Sequence, residues 1–516
     1  MPRNQPRTRT AFLSLRNATF RLGDRLIFEN TNWAFNRDQQ WAIIGPNGSG
    51  KSVFADGLRG RLPLVHGELR YLFRPPPGLS PEEAIGQVAF EDRKAEVHGT
   101  VVQSRWTSFE EEGAERVSDF LGYDRVMEIN PYEVSLNNDQ ARAHFDARLR
   151  RVARLLQIEP LFSRRLLALS NGERQRVELA RTMARPLRLL ILDEPYGGLD
   201  ASSRQQLHAI LERLLKTRLR VLLVTARTED LPRHITHLLL LKECQVLAAG
   251  PRKKILASLE RLRPRRITRP RLSSSARKSP PGAGSTRNLI EVRNVTVRYG
   301  TSTILSNLSW TVRAGESWAL LGPNGSGKTT LLSLIQGDNP QAYLNEVSVF
   351  GRRRGSGESI WQLKKRIGWV SPELHLHFDD AFSVLNVVLS GFHDTIGLFE
   401  RATRHQMARA RYWLKRFGLE TAAELPMFSL SAGLQRVALF ARALVKKPSL
   451  LILDEPCQGL DSAHTNIVVQ HVDVLVRSKE VTAIFVTHRP EEIPHSIKRV
   501  LRLPNRSSAA DVIWPG

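Results

Sequence analysis

A chain of 516 residues with 41% apolar side chains can bury more than one core, and length alone allows about three or four domains. No run approaches the ~18 apolar residues of a membrane helix, so the chain carries no pore of its own, and two cysteines, Cys244 and Cys457, exclude a disulfide framework and suit a reducing compartment. The net charge of +25, from 76 Lys and Arg against 51 Asp and Glu, predicts attraction to an anionic partner such as RNA, a ribosome, an acidic protein or a lipid surface, or reflects an arginine-rich proteome.

Met1 to Thr10 carries Arg3, Arg7 and Arg9, with no acid before Asp24, a composition like a transit peptide. Strand-like sequence begins by Phe12, however, so any presequence would be very short. We therefore expect a soluble cytoplasmic protein, with a mitochondrial location as the alternative. The strand-like segment Leu13 to Gly23 leads to Gly45-Pro46-Asn47-Gly48-Ser49-Gly50-Lys51-Ser52, which fits G-x-x-x-x-G-K-[ST]. The Pro-rich loop Arg74 to Gly78 reads as a surface excursion, and Phe109 to Glu112 as a solvated helix face. Then comes Leu169-Ser170-Asn171-Gly172-Glu173 before a helix bearing Arg176 and Arg181. A hydroxyl, free N–H groups and a helix dipole together favour phosphate there. Arg188 to Glu194 is an apolar strand ending in two carboxylates, Asp193 and Glu194, followed by Gly198-Leu199-Asp200 and Val224-Thr225-Ala226.

Residues 251–287 hold 12 Lys or Arg against one acid and read as a flexible, self-repelling linker, either simply solvated or touching a polyanion. After it the first half repeats. A shift of 277 residues superposes Asn17 on Asn294, Trp33 on Trp310, Trp41 on Trp318 and Gly45 on Gly322; a shift of 261 superposes Ser170 on Ser431, Asp193 on Asp454 and Asp200 on Asp461. That is domain duplication rather than a solenoid. The expected domains are 11–250 and 288–505.

In the second half, Ser317 to Leu321, the octet Gly322-Pro323-Asn324-Gly325-Ser326-Gly327-Lys328-Thr329 and the helix-like run from Thr330 give strand, glycine loop and helix. In that context the backbone N–H groups converge on phosphates, Lys328 reaches the β- and γ-phosphates, and Thr329 ligates Mg²⁺. Leu430-Ser431-Ala432-Gly433-Leu434 precedes a second arginine-bearing helix. Ser449 to Glu455 delivers Asp454 toward Mg²⁺ and leaves Glu455 to polarise water in line with the γ-phosphate.

With these motifs in order, the chain resembles a tandem ATP-binding-cassette (ABC) protein over nearly its whole length outside the linker and extreme ends. Residues Phe350 to Trp361 and Leu389 to Gly397 resemble the bacterial tandem ATPases named for molybdate transport or photorepair (ModF/PhrA type). Gly-Gly-Leu-Asp and Gln-Gly-Leu-Asp after the carboxylate strands depart from the Asn-His-Leu-Asp of the ABC-F translation factors. The resemblance implies two α/β P-loop domains, each with a helical subdomain, paired head to tail without a transmembrane domain. Each ATP would be bound by the P-loop of one and the signature serine and glycine of the other. One site would use Gly322, Asn324, Gly325, Gly327, Lys328, Thr329, Thr330, Asp454 and Glu455 with Ser170 and Gly172. The other would use Gly45, Asn47, Gly48, Gly50, Lys51, Ser52, Asp193 and Glu194 with Ser431 and Gly433. Mg²⁺ would be held by Thr329 and Asp454 in one and by Ser52 and Asp193 in the other.

The resemblance also implies that the sites are unequal. The family's switch histidine, which contacts the γ-phosphate, maps onto His488, whereas the first half has Ala226. Its adenine-stacking aromatic maps onto Tyr299, whereas the first half has Leu22. Mg²⁺-dependent hydrolysis of ATP is expected at the His488 site, and slow turnover at the other unless Phe20 or Arg227 substitutes. Asn171 and Ala432 replace the first signature glycine, and Glu173 and Leu434 the glutamine. Phe90-Glu91-Asp92 and Ser371-Pro372-Glu373 stand where the Q-loop glutamine belongs. Three outputs stay open: a soluble switch acting on a protein partner, the energising subunit of a molybdate-type transporter with a separate membrane permease, and a ribosome- or RNA-associated switch.

Overall fold

The computed structural model describes residues 11–90, 115–128, 139–262, 287–299, 302–357, 359–371, 374, 382–397, 400–479, 481–504 and 511–513. The acidic stretch 109–112, the tail of the linker, and all of the two expected Q-loop triplets except Phe90 and Ser371 lie outside these residues. The chain forms two compact units, 1–267 and 268–516.

In the first unit, β1 (Ala11–Leu22), β2 (Arg25–Asn36) and β4 (Leu64–Tyr71) make an antiparallel sheet in the order β2-β1-β4. Between them in sequence lies β3 (Trp41–Ile44), which enters a second sheet with β5 (Ile85–Ala89), β6 (Leu189–Asp193), β7 (Arg220–Thr225), β8 (His237–Lys242) and β9 (Gln245–Pro251). Its order is β5-β6-β7-β3-β8-β9, parallel except for the β8–β9 hairpin. Strands β3 and β6 are buried on both faces, which is why Trp41 to Ile44 and Leu189 to Asp193 read as unbroken apolar runs rather than alternating ones.

The second unit repeats the plan. Strands β10 (Asn288–Tyr299), β11 (Ser302–Arg313), β13 (Glu346–Val349) and β14 (Arg352–Arg353) form the antiparallel sheet. The other sheet contains β12 (Trp318–Leu321), β15 (Ile367–Val370), β16 (Leu450–Asp454), β17 (Thr482–Thr487), β18 (Arg499–Arg502) and β19 (Asp511–Ile513), in the order β15-β16-β17-β12-β18-β19. The repeated tryptophans show why the landmarks recur. Trp33 and Trp41 meet edge to face at 5.3 Å, and Trp310 and Trp318 do so at 5.7 Å, so each pair ties the antiparallel sheet to the parallel one. Positive φ also recurs in register, at Asn17 and Asn30 and again at Asn294 and Asn307. Asparagine tolerates that conformation better than other side chains. Helices such as Asp139–Leu156 and Arg404–Arg416 complete the helical part of each unit.

Two features differ from the sequence expectation. A helix spans Arg252–Leu262, inside the stretch expected as flexible linker; Ile255 is buried and Leu256 and Leu259 pack on the first core. Their i, i+1, i+4 spacing puts an apolar stripe beneath a basic face, so composition alone misreads the segment. Strand β19 lies beyond the expected end at residue 505, paired antiparallel with β18. Among the described residues no helix is long and apolar enough to cross a membrane.

Candidate functional site

Parallel pairing brings three chain segments to one end of each sheet. In the second unit Leu321 is level with Thr487, and Asp454 with Val486, so the loop after β12, the carboxylates ending β16 and the residue after β17 converge. In the first unit Ile44 is level with Thr225 and Asp193 with Val224. Ligands of open α/β sheets bind at this carboxyl edge.

The loop after β12 turns into helix α2 (Lys328–Gln336), whose N-cap Gly327 has φ 94; the loop after β3 turns into helix α1 (Lys51–Leu58), whose N-cap Gly50 has φ 89. A side chain disfavours both conformations, and a Cβ on Gly327 would stand 2.7 Å from Leu305. Each loop lysine is buried and curls back over its loop. Lys328 Nζ donates to the carbonyls of Gly322 and Pro323 at 2.7 and 3.0 Å, and Lys51 Nζ to those of Gly45 and Pro46 at 3.1 Å each. The ammonium groups lie 4.0 Å from Glu455 and 3.9 Å from Glu194. Thr329 and Ser52 sit exposed in the first helical turns, whereas Asp454 and Asp193 are buried at their strand ends. A hydroxyl and a carboxylate are hard oxygen donors of the kind Mg²⁺ takes, so the residues fit that ion.

Glu455 and Glu194 share a feature that sequence does not reveal. Both have left-handed backbones, φ 45 and 46, and each donates its N–H to the neighbouring strand, Glu455 to Val486 at 3.0 Å and Glu194 to Val224 at 2.9 Å. Non-glycine residues held there mark positions where surrounding structure overrides local preference.

The carboxylates are then held differently. His488 Nδ1 is 2.9 Å from Glu455 Oε2, with Arg489 Nε 3.4 Å from His488 Nε2. In the first unit Ala226 offers no such group, and the Thr225 hydroxyl donates to Glu194 at 3.3 Å instead. The corresponding Thr487 hydroxyl donates to Glu492 at 3.1 Å. Tyr299 ends β10, 53% exposed and with its hydroxyl accepting from Asn339 at 2.8 Å, while Leu22 occupies the same place on β1, 45% exposed. Phe20 is buried in the core against Gly57, so its ring is not presented for stacking in place of Leu22.

The signature serines each cap a helix. Ser170 accepts from Glu173 N at 3.3 Å, and Glu173 accepts from Ser170 N at 2.8 Å, a full capping box on α3 (Asn171–Ala184). Burial opposes ionisation of Glu173, but the Ser170 and Arg164 contacts outweigh it and hold its carboxyl below the usual range. Ser431 caps α5 (Ala432–Leu444) with a longer 3.5 Å contact from Leu434 N. Between these helices in sequence lies α4 (Ala201–Leu214), capped by Asp200; helix α6 (Ser462–Arg477) is capped by Asp461. Gly172 and Gly433 pack against Ser203 and His464 of those helices. Within each unit, then, the P-loop, carboxylates and residue 226 or 488 converge at one edge. The signature glycines pack against the helices that follow the carboxylate strands. From α5, Arg436 reaches the Ser371 carbonyl at 3.1 Å, and burial pushes its pKa down to about 10.

A strand, glycine loop and helix beside a carboxylate-tipped strand define a P-loop nucleotide-binding domain, present here twice. The family model described as "ABC transporter" matches residues 28–197 and 305–458, and the chain belongs to this family, whose members bind and hydrolyse ATP. It is 37% identical over 494 residues to the ABC transporter ATP-binding protein ModF of Escherichia coli, covering 94% of this chain and 95% of that one. It is 30% identical to an uncharacterised ABC transporter ATP-binding protein of Schizosaccharomyces pombe, covering 96% and 98%. A solved archaeal structure, described as ribosomal stalk protein aP1 with ribosome recycling factor aABCE1, shares the fold at 18% identity and TM-score 0.54, over 97% of this chain and 90% of that one.

Proposed function

We propose that the two units close head to tail around two ATP molecules, and that Mg²⁺-dependent hydrolysis proceeds mainly at the site of Lys328, Thr329, Asp454, Glu455 and His488, completed by Ser170 and Gly172. The Glu455–His488 contact, with no counterpart at Ala226, carries this reading. Glu455 orients the attacking water and the imidazole holds that carboxylate through Nδ1; Arg489, whose Nε lies against Nε2 in this state, moves off when Nε2 turns a donor toward the γ-phosphate. Lys328 and the α2 N-terminus bind the phosphates. Thr329 and Asp454 would hold Mg²⁺, which neutralises phosphate charge when bound. The Lys51 site, with Ser52, Asp193, Glu194, Ser431 and Gly433, retains ATP and turns over slowly, and Tyr299 stacks on adenine only at the second-half site. ATP contacts both units only when they are closed, which supplies the differential affinity a switch requires.

The client separates two further readings. Likeness to a protein named as an ABC transporter ATP-binding protein favours an energising subunit with a separate membrane permease. The +25 charge favours a polyanion-directed switch acting on RNA or a ribosome. Glu455→Gln, expected to bind ATP without hydrolysing it, tests both. Its ATP-dependent sedimentation with membranes and one permease would establish the transport subunit. Sedimentation with ribosomes or RNA, lost on removing the arginines of 251–287, would establish the second. If turnover fell equally in Lys51→Ala and Lys328→Ala, the inequality of the sites would be refuted.

A further inference from the structure

The Pro-rich loop Arg74 to Gly78 supplies one wall of a groove of about 350 Å³ in the first unit. Arg188 and Leu219, which also line it, immediately precede β6 and β7, so the groove lies at the opposite end of the sheet from Asp193. Four strand steps of about 3.3 Å set those two ends roughly 13 Å apart. Pro76, Pro77, Leu187 and Leu219 give the groove apolar walls, and its charges among the described residues are all positive: Arg148, Arg185 and Arg188. Arg148 Nη1 donates to the Ala184 carbonyl at 3.0 Å and so caps the end of α3, while Arg188 Nε donates to the Arg74 carbonyl at 3.0 Å and ties the Pro-rich loop to β6. A guanidinium carries five N–H donors, so both keep others to offer. None of the three pairs with a carboxylate among the described residues. Burial, with Arg151 nearby, lowers the Arg148 pKa, as expected where positive charge goes unrelieved.

The second unit separates what is structural here from what is not. The 261-residue shift carries Arg148 onto Arg409 and Ala184 onto Val445, and Arg409 Nε donates to the Val445 carbonyl in the same way. Helix capping thus accounts for Arg148. The shift carries Arg185 onto Lys446 and Arg188 onto Ser449. There the chain supplies its own anion: Lys446 Nζ pairs with Asp394 and also donates to the Lys364 carbonyl at 2.8 Å. In the first unit the cation is present and the anion is not built in.

We propose that this groove binds a small organic anion, a carboxylate or phosphate on an apolar body, with Arg185 and Arg188 taking the charged head and the proline and leucine walls covering the body. The planar guanidinium fork pairs with either head through two parallel N–H···O bonds. The volume lies at the lower end of the range of about 300–1,000 Å³ for small-molecule sites, which favours a ligand the size of an aryl or short-chain acid over a polymer. Every residue of the site belongs to the first unit, so it does not depend on how ATP is held.

The probe is anilinonaphthalene sulfonate, an aromatic body with a fixed anion, titrated by fluorescence into the full chain with saturating ATP and Mg²⁺ so that nucleotide sites do not report. We expect a saturable rise, reversed by benzoate or by phenyl phosphate, and the better competitor identifies the head as carboxylate or phosphate. Arg185→Gln should weaken probe binding about tenfold, the scale of one hydrogen bond to a charged group. At the wall, Leu219→Glu should abolish binding and Leu219→Lys should tighten it, and thermal midpoints measured alongside show that the fold is kept. No saturable rise, or displacement by neither competitor, would overturn the proposal. So would equal binding in Arg185→Gln and the unsubstituted chain. If Leu219→Glu and Leu219→Lys weakened binding alike, the wall's packing and not its charge would be what the probe reads, and the anion site would be refuted.

Discussion

Replacing His488 by alanine probes the proposed reaction most directly. The imidazole is buried beside Glu455, 2.9 Å from its Oε2, and Thr487 cannot take over because its hydroxyl is committed to Glu492. The substitution therefore removes the donor proposed for the γ-phosphate and leaves Glu455 to the P-loop lysine, 4.0 Å away. Losing one transition-state donor costs on the order of 10²–10³ in rate, about 2.7–4 kcal/mol. Single-turnover hydrolysis at saturating ATP should fall by about that factor, to a floor set by the Lys51 site, while ATP affinity changes little. Installing Ala226→His in the Lys328→Ala background should raise turnover at the first-half site. A drop below about threefold in His488→Ala, against the two to three decades expected, would refute the reasoning. So would a loss confined to KM, because uniform binding and not transition-state contact would then have been removed.

Three other outcomes are expected. Gly322→Ala places a Cβ 2.5 Å from Ser326 Oγ and 2.9 Å from the Leu503 carbonyl, so it should cost about 1–3 kcal/mol; a lower thermal midpoint and weakened ATP binding would show it, and an unchanged midpoint would argue against it. Burial and nearby Arg416 push the His471 pKa down to about 4, so the fold keeps this ring neutral. Its contribution is whole above the ordinary value near 6.5 and is lost as pH falls toward 4, about 3 kcal/mol in all; thermal melts from pH 7 to 4.5 should show the decline, and His471→Leu should flatten it. Finally, Leu22→Tyr should tighten ATP binding in the Lys328→Ala background, measured by titration, if a stacking ring is what that site lacks.

The motifs legible in the sequence are those whose chemistry lies in a few consecutive residues: the loop octets, the carboxylate-tipped strands and the serine–glycine pairs. Their order fixed the two-unit repeat because each is embedded in its own strand or helix signal. The Ser431–His464 contact was invisible because 33 residues separate partners joined only by helix packing. The left-handed backbones of Glu194 and Glu455 were equally hidden, since nothing in Asp-Glu-Pro signals a positive φ. The helix over Arg252–Leu262 was obscured by the charge of its outer face, although Ile255, Leu256 and Leu259 carried its periodicity.

Those left-handed glutamates bear on how this chain can change over generations. Holding a glutamate at φ near 45 costs about 1–3 kcal/mol that asparagine or glycine would largely relieve. The backbone at 194 and 455 therefore favours a residue other than the one present, while the carboxylate contacts with Lys51, Lys328 and His488 favour glutamate. Selection for the role proposed for the carboxylates adds to the side that keeps glutamate. A descendant released from hydrolysis should drift to asparagine or glycine here before its P-loops decay, so these two positions would register the loss of turnover first.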